Sequence, residues 1–342
     1  MVDNLARPAP APLSMTTVLD SLNAALHQAL DADPAVVVLG EDVLDPYGGA
    51  FKVTRGLSTA HPERVWTTPV SEAGMVGVAT GMALRGQRPV VEIMFGDFTT
   101  LAADQLVNHA AKFRWMFNEQ VRVPLVVRTP MGGRRGYGPT HSQSLEKLLL
   151  GVPGLRVVSP AAAGDPGALL RAAIDDDDPV LFVEHKVQYV TALWSSEPPA
   201  ELEWSDAAGG AIVARVRGAG PPALTIAAYG HMAELARLAV ERLAFDHEVF
   251  AELVVVTQLA PLDVGPINTS AARTRRLLVV EEGTRSFGWG AEVLARIAEE
   301  AGAAVIARRL AAPDDPIPAC GPLEDLVLPG VDDVVKAAME LQ

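Results

Sequence analysis

One carboxylate stands out by its surroundings. Glu72 lies in TTPVSEAGMVGVATGMALRG (residues 67–86), a stretch that is otherwise almost wholly apolar or small. An ionised carboxylate in a dry site is costly unless it is paired, hydrogen-bonded or protonated. Pro69 and Ser71 form a helix entrance, with Ser71 as N-cap and Glu72 in the first turn. The helix dipole alone favours an acidic residue there. Three more candidates follow apolar runs: Glu41 after VVVLG, Phe98 in VVEIMFGDF, and His141 in the glycine-rich MGGRRGYGPTHSQS. In open parallel sheets, ligands bind at the carboxyl ends of strands, so these segments converge on one edge. Read singly, His141 is a surface-loop histidine, GGRRGYG a flexible tip and IDDDDP a solvated acidic turn. The glycines match neither GxxxxGK[ST] nor a GxGxxG after the first strand. His27, His61, His109, His185, His231 and His247 have no metal-ligand spacing.

The elements that must position these residues read as two α/β domains. AVVVLGED, RPVVEIMFGDF, VRVPLVVRTP, GLRVVSP and DPVLFVEH are short, Val-rich runs, as expected of strands covered on both faces. Helical spacing fills the intervals, in TTVLDSLNAALHQALDAD, residues 71–85, LAADQLVNHAAKFRWMF and DPGALLRAAIDDD. Strand and helix in alternation predict a doubly wound parallel sheet over residues 16–195, preceded by a disordered Pro/Ala-rich lead-in at 1–15. The polar and Gly/Pro-rich stretch 196–222 reads as a linker, and PALTIAAYG, AELVVVTQL, RRLLVVEEG and AAVIARRLA predict a smaller α/β domain over 223–342.

Composition narrows the partners. With 28 basic and 42 acidic residues the net charge is −14, and no basic run or aromatic-interleaved basic stripe is present, which argues against nucleic acid and anionic membrane. A single cysteine, Cys320, allows no internal disulfide, and no apolar run approaches the roughly 18 residues of a membrane span. A cytoplasmic protein is expected.

From about Thr16 onward the chain resembles the beta subunit of the thiamine-diphosphate-dependent decarboxylating component of 2-oxo acid dehydrogenase complexes, the pyruvate, branched-chain and acetoin dehydrogenase family. LGED, GAFKVTRGL, TPVSEAGMVGVATGMAL, RPVVEIMFGDF, DQLVNHAAKFRW, GPTHSQSLE, TIAAYG, LAPLD and APDDPIPACGPLED carry the likeness. It implies an N-terminal transketolase-like pyrimidine-binding domain and a transketolase-type C-terminal domain. Glu72 would meet the aminopyrimidine ring nitrogen of thiamine diphosphate and set its tautomer, and Phe98, Met94 and Glu41 would line the cofactor pocket. His141 would face the substrate, orienting the 2-oxo acid or assisting proton transfer to a lipoyl sulfur. The main-chain carbonyls of Leu125, Ala173, Asp176 and Asp178 would hold a potassium ion.

The resemblance also implies a partner. Gly96-Asp97-Phe98 and Gly164-Asp165-Pro166 do not continue as the GDG…Asn motif that binds the Mg²⁺ and diphosphate. In the family that motif sits on a separate alpha subunit, in an α₂β₂ assembly that serves a lipoyl acyltransferase. Asn118-Glu119-Gln120 replaces a Gly-rich turn common among relatives, and VVVTQLAPLD lacks DLRT, so substrate choice is left open. The alternatives are an acyloin enzyme on the same scaffold and a non-catalytic assembly subunit.

Overall fold

The computed structural model describes residues 16–300 and 304–342, so the lead-in expected at 1–15 lies outside the described residues. The first half contributes β1 (Val36–Gly40), β2 (Val65–Thr67), β3 (Arg88–Glu92), β4 (Val126–Met131), β5 (Arg156–Val158) and β6 (Val180–His185). The second contributes β7 (Leu202–Asp206), β8 (Ile212–Val216), β9 (Leu224–Tyr229), β10 (Ala251–Val256), β11 (Gln258–Ala260), β12 (Arg276–Thr284) and β13 (Ile306–Ala312). They form a seven-stranded sheet, ordered β11-β5-β6-β4-β3-β1-β2, and a six-stranded sheet, ordered β13-β12-β9-β10-β8-β7. Parallel pairing runs from β2 through β5 in the first sheet, and from β10 through β13 in the second. Every residue of β1, β4 and β6 is buried, which explains their unbroken Val-rich sequences.

Two features depart from the expected pattern. Residues 196–222 are not simply a linker, because β7 and β8 pair antiparallel and β8 joins β10, extending the second sheet. The period-2 burial of Ile212, Ala214 and Val216 is a half-buried strand signal that Pro, Gly and acidic neighbours concealed. The other departure is β11, read as the end of β10. It leaves the second sheet and pairs antiparallel with β5, stitching the two halves together.

Local chemistry sets the helices. Thr17 and Asp20 form a reciprocal capping box on Val18–Ala32, with both bonds 3.2 Å long. Asp165 caps Pro166–Asp175 by accepting from the Ala168 amide at 2.9 Å. The helix expected across LAADQLVNHAAKFRWMF divides into a π-helical turn, Gln105–Ala110, and a short α-helix, Ala111–Met116. Gln105 packs into space left by Gly77, whose Cβ would stand 3.0 Å from its Oε1.

Beneath the carboxyl edge of the first sheet lies a buried ionic group. Arg128 on β4 is 1% exposed and Glu184 on β6 is 2% exposed. Arg128 Nη1 donates to Glu92 Oε2 at 2.8 Å and Nη2 to Glu184 Oε2 at 2.7 Å, while Nε lies 2.7 Å from Glu184 Oε1. The Tyr189 hydroxyl also donates to Glu184. One guanidinium thus ties together the ends of the three strands that lead into the candidate site.

Candidate cofactor site

Glu41 follows the last residue of β1, and Glu72 opens the helix Glu72–Leu84. Both are buried, at 8% and 6% exposure. Ser71 stands at the N-cap as expected, but its hydroxyl makes no capping bond. Burial raises the Glu41 pKa, the charges of Glu72 and Asp42 raise it further, and a hydrogen bond from the Ser71 amide partly offsets them. Glu41 Oε1 is buried without a hydrogen-bond partner. A pair of neighbouring carboxylates with an unused acceptor calls for a ligand rich in donors.

A second group at this sheet edge is aromatic. Beyond β3, Phe95 and Phe98 pack edge-to-face with centroids 6.0 Å apart, and His141 stands 4.9 Å from Phe95 and 5.2 Å from Phe98. Met94 is half-buried beside them. Gly40 and Glu92 are register partners, so Glu41 and Met94 emerge from adjacent strand ends. The structure therefore brings Glu41, Glu72, Met94, Phe98 and His141 to one sheet edge. An aminopyrimidine fits this chemistry: its ring nitrogen and exocyclic amine suit the carboxylates, and its flat face suits the aromatic group.

The His141 loop is anchored rather than free. Glu282 on β12 accepts from the Gly133 amide at 2.8 Å, and Glu324 accepts from the amides of Arg134 and Gly136 at 2.8 and 2.9 Å. Asp97 Oδ1 accepts from Gln143 Nε2 at 2.8 Å. Gly132, at φ +85°, has no room for a Cβ, which would stand 2.0 Å from His185 Nε2. Although burial opposes it, contact with His185 and Arg134 holds the Glu282 pKa well below the usual carboxylate range. These anchors were not found from sequence, because Glu282 and Glu324 are more than a hundred residues from the loop. The local signal within reach was Phe95, three residues before Phe98.

The cation set fits only in part. Arginines compensate the acidic turn: Arg88 donates to the Asp176 carbonyl at 3.0 Å and to Asp177 Oδ1 at 3.0 Å, Arg114 donates to Asp178 at 2.6 Å, and Arg156 lies 2.8 Å from Asp176. Arg122 pairs with Asp177. The Leu125 carbonyl accepts from the Val180 amide at 2.8 Å, and Ala173 lies in the last turn of its helix, where carbonyls lack helical partners. A potassium ion would have to share the Asp176 and Leu125 carbonyls with donors already present.

Clefts of about 380 and about 480 Å³ lie elsewhere, sharing Pro153, Gly154 and Asp178, and neither includes Glu41, Glu72, Met94, Phe98 or His141. Among the described residues, no group of three or more His, Cys, Asp or Glu could hold a metal ion, and no helix is long and apolar enough to cross a membrane.

Comparison with known proteins agrees with this architecture. Residues 14–191 match the transketolase pyrimidine binding domain, and residues 214–334 match the transketolase C-terminal domain. The chain is 39% identical to pyruvate dehydrogenase E1 component subunit beta-1 of Arabidopsis thaliana, over 97% of this chain and 91% of that protein. Identity is 38% to the 3-methyl-2-oxobutanoate dehydrogenase subunit beta of Mycobacterium tuberculosis, over 92% of this chain and 89% of that one. It is 36% to the acetoin:2,6-dichlorophenolindophenol oxidoreductase subunit beta of Cupriavidus necator, covering 93% and 95%. A split-gene transketolase solved as an inactive beta4 tetramer shares the fold, with a TM-score of 0.74 at 20% identity, covering 96% of this chain and 98% of that one. With its two transketolase-type domains and its full-length likeness to these subunits, the chain belongs to the family of 2-oxo acid dehydrogenase E1 component beta subunits.

Proposed function

We propose that this chain supplies the pyrimidine-binding half of a thiamine-diphosphate site for oxidative decarboxylation of a 2-oxo acid, with transfer of the acyl group to a lipoyl arm. The observation that carries this reading is the buried Glu41–Glu72 pair, with its unpartnered oxygen, at the same sheet edge as the Phe95–Phe98–His141 group. Thiamine diphosphate, when bound, supplies the thiazolium carbon that stabilises the carbanion left by decarboxylation. Glu72 would hydrogen-bond the pyrimidine ring nitrogen and fix its tautomer, while Glu41 accepts from a donor and Met94 and Phe98 exclude water. His141 orients the 2-oxo acid or delivers a proton to the lipoyl sulfur.

The other half of the site belongs on an alpha subunit carrying the GDG motif, which would hold Mg²⁺ and the diphosphate through oxygen ligands. Exposed apolar side chains support such a partner: Val70 and Val78, before and on the helix that begins at Glu72, are 79% and 60% exposed, and Leu101 is 58% exposed. An α₂β₂ assembly in the cytoplasm, serving a lipoyl acyltransferase, completes the proposal. We propose potassium at the carbonyl set as an ion that shares the Asp176 carbonyl with Arg88.

The test is coexpression with an alpha chain containing the GDG motif, followed by a screen of 2-oxo acids and acetoin with an artificial electron acceptor. Turnover of a 2-oxo acid by the pair, and none by either chain alone, is expected. Turnover of acetoin alone would favour the acyloin reading, which the Cupriavidus relative supports. A stable complex without turnover of any substrate would overturn the catalytic assignment.

A further inference from the structure

Lys186 follows the last residue of β6 and is 0% exposed, with no hydrogen-bond partner for its Nζ. A cationic side chain so placed is costly unless charges around it compensate. Burial lowers the Lys186 pKa to about 8, while the charges of Asp97, Glu282 and Glu324 favour the ammonium and Arg135 opposes it. These carboxylates are also the anchors of the His141 loop: Glu282 takes the Gly133 amide, Glu324 those of Arg134 and Gly136, and Asp97 the Gln143 side chain. Asp97 Oδ2 is buried and unpartnered as well.

The main chain of Lys186 adds two links, its amide donating to Met131 at 3.3 Å and its carbonyl accepting from Arg135 at 3.3 Å. Its Nζ lies 5.6 Å from the centroid of Phe95, the ring against which His141 packs.

We propose that Lys186 is a positioning residue for His141: its buried ammonium is the common counter-charge of Asp97, Glu282 and Glu324, and through them it fixes the loop that holds the imidazole against Phe95 and Phe98. Removing the ammonium takes away one cation near these carboxylates and leaves Glu282 with His185 and Arg134, and the weakened balance favours opening of the loop. Removing the Asp97 charge together with it restores part of the balance. The role in acyl transfer rests on the function proposed above, whereas the anchoring of the loop does not.

Hydrogen exchange on the full chain, without partner or cofactor, tests the anchoring. Lys186→Met should speed exchange across residues 132–143 by about tenfold or more while β4 and β6 keep their protection, and Lys186→Met/Asp97→Asn should recover part of the difference. Asp97→Asn alone should loosen residues 141–144, where Gln143 loses its charged acceptor, and this variant decides the matter if Lys186→Met does not fold. Unchanged exchange in the loop of Lys186→Met, or of Asp97→Asn in its place, overturns the proposal. In the coexpressed pair, Lys186→Met should lower kcat for lipoyl acylation by about tenfold or more, with KM for the 2-oxo acid changed by less than about twofold. A rise in KM with kcat intact would overturn the link to His141. Altered exchange in a pair that turns over no 2-oxo acid would leave the anchoring standing and remove the assigned reaction.

Discussion

Arg128→Met is the sharpest perturbation of the scaffold. Arg128 is 1% exposed, and its guanidinium meets Glu92 at 2.8 Å and Glu184 at 2.7 Å. Methionine retains much of the apolar stem but leaves two carboxylates buried without their cation. Breaking one buried pair from a single side costs about 3–5 kcal/mol, because the remaining charge is uncompensated. For a domain of this size that corresponds to a fall of roughly 10 °C in the midpoint of the transition that unfolds it. Arg128→Met/Glu92→Gln/Glu184→Gln carries no net buried charge and should recover most of the loss. Differential scanning calorimetry of the wild-type, single and triple variants reads the comparison directly. A single variant that melts within about 2 °C of wild type would refute the reasoning, since the triad would then be no more than a tolerated accident of packing.

Further predictions concern charge elsewhere. Burial, with the Glu146 charge added, raises Glu281 from 4.5 to about 7 against a bond from the Gly290 amide. The folded chain then holds a proton that the unfolded chain releases near 4.5, so this group's contribution is full below that value and is lost as pH rises to about 7. Glu281→Gln should lose less stability than wild type between about pH 5 and about pH 7.5, by up to about 3 kcal/mol in denaturant titrations. Burial lowers His231 to about 3, giving the opposite slope below the ordinary imidazole value of 6.5, so the difference between variants is the quantity to read. In KCl, NaCl and LiCl at matched ionic strength, the melting midpoint should be highest in KCl, because an ion at the carbonyl set binds only the folded chain. Three superimposed curves would show that Arg88, Arg114, Arg122 and Arg156 alone compensate the acidic turn.

Much of the scaffold was legible in the sequence because its strands are covered on both faces. Runs such as VVVLG and VLFVEH leave little choice of environment. The edges were harder to read. β7 and β8 carry only a period-2 alternation among Pro, Gly and acidic residues, and β11 is a three-residue strand whose partner, β5, lies about a hundred residues earlier. The same division holds in the site. Glu41, Glu72, Met94, Phe98 and His141 sit in segments with their own local signature. Glu282, Glu324 and Lys186 act across the interface between the domains and look, in sequence, like ordinary charged residues at strand and helix ends. IDDDDP shows how composition misleads, since the charges that balance it come from Arg88, Arg114, Arg122 and Arg156.

The most direct test of the central claim is proton exchange at the thiazolium carbon of thiamine diphosphate, followed by quenched-flow NMR in the coexpressed complex with wild-type chain and with Glu72→Gln. Glutamine keeps the shape of a side chain that is 6% exposed at the helix entrance, so folding and assembly should persist. If Glu72 sets the pyrimidine tautomer, exchange should slow by about a hundredfold or more, within the range expected for loss of a positioned acid–base group. An unchanged exchange rate in an intact complex would contradict the account, leaving Glu72 as an acidic residue placed by the helix dipole alone.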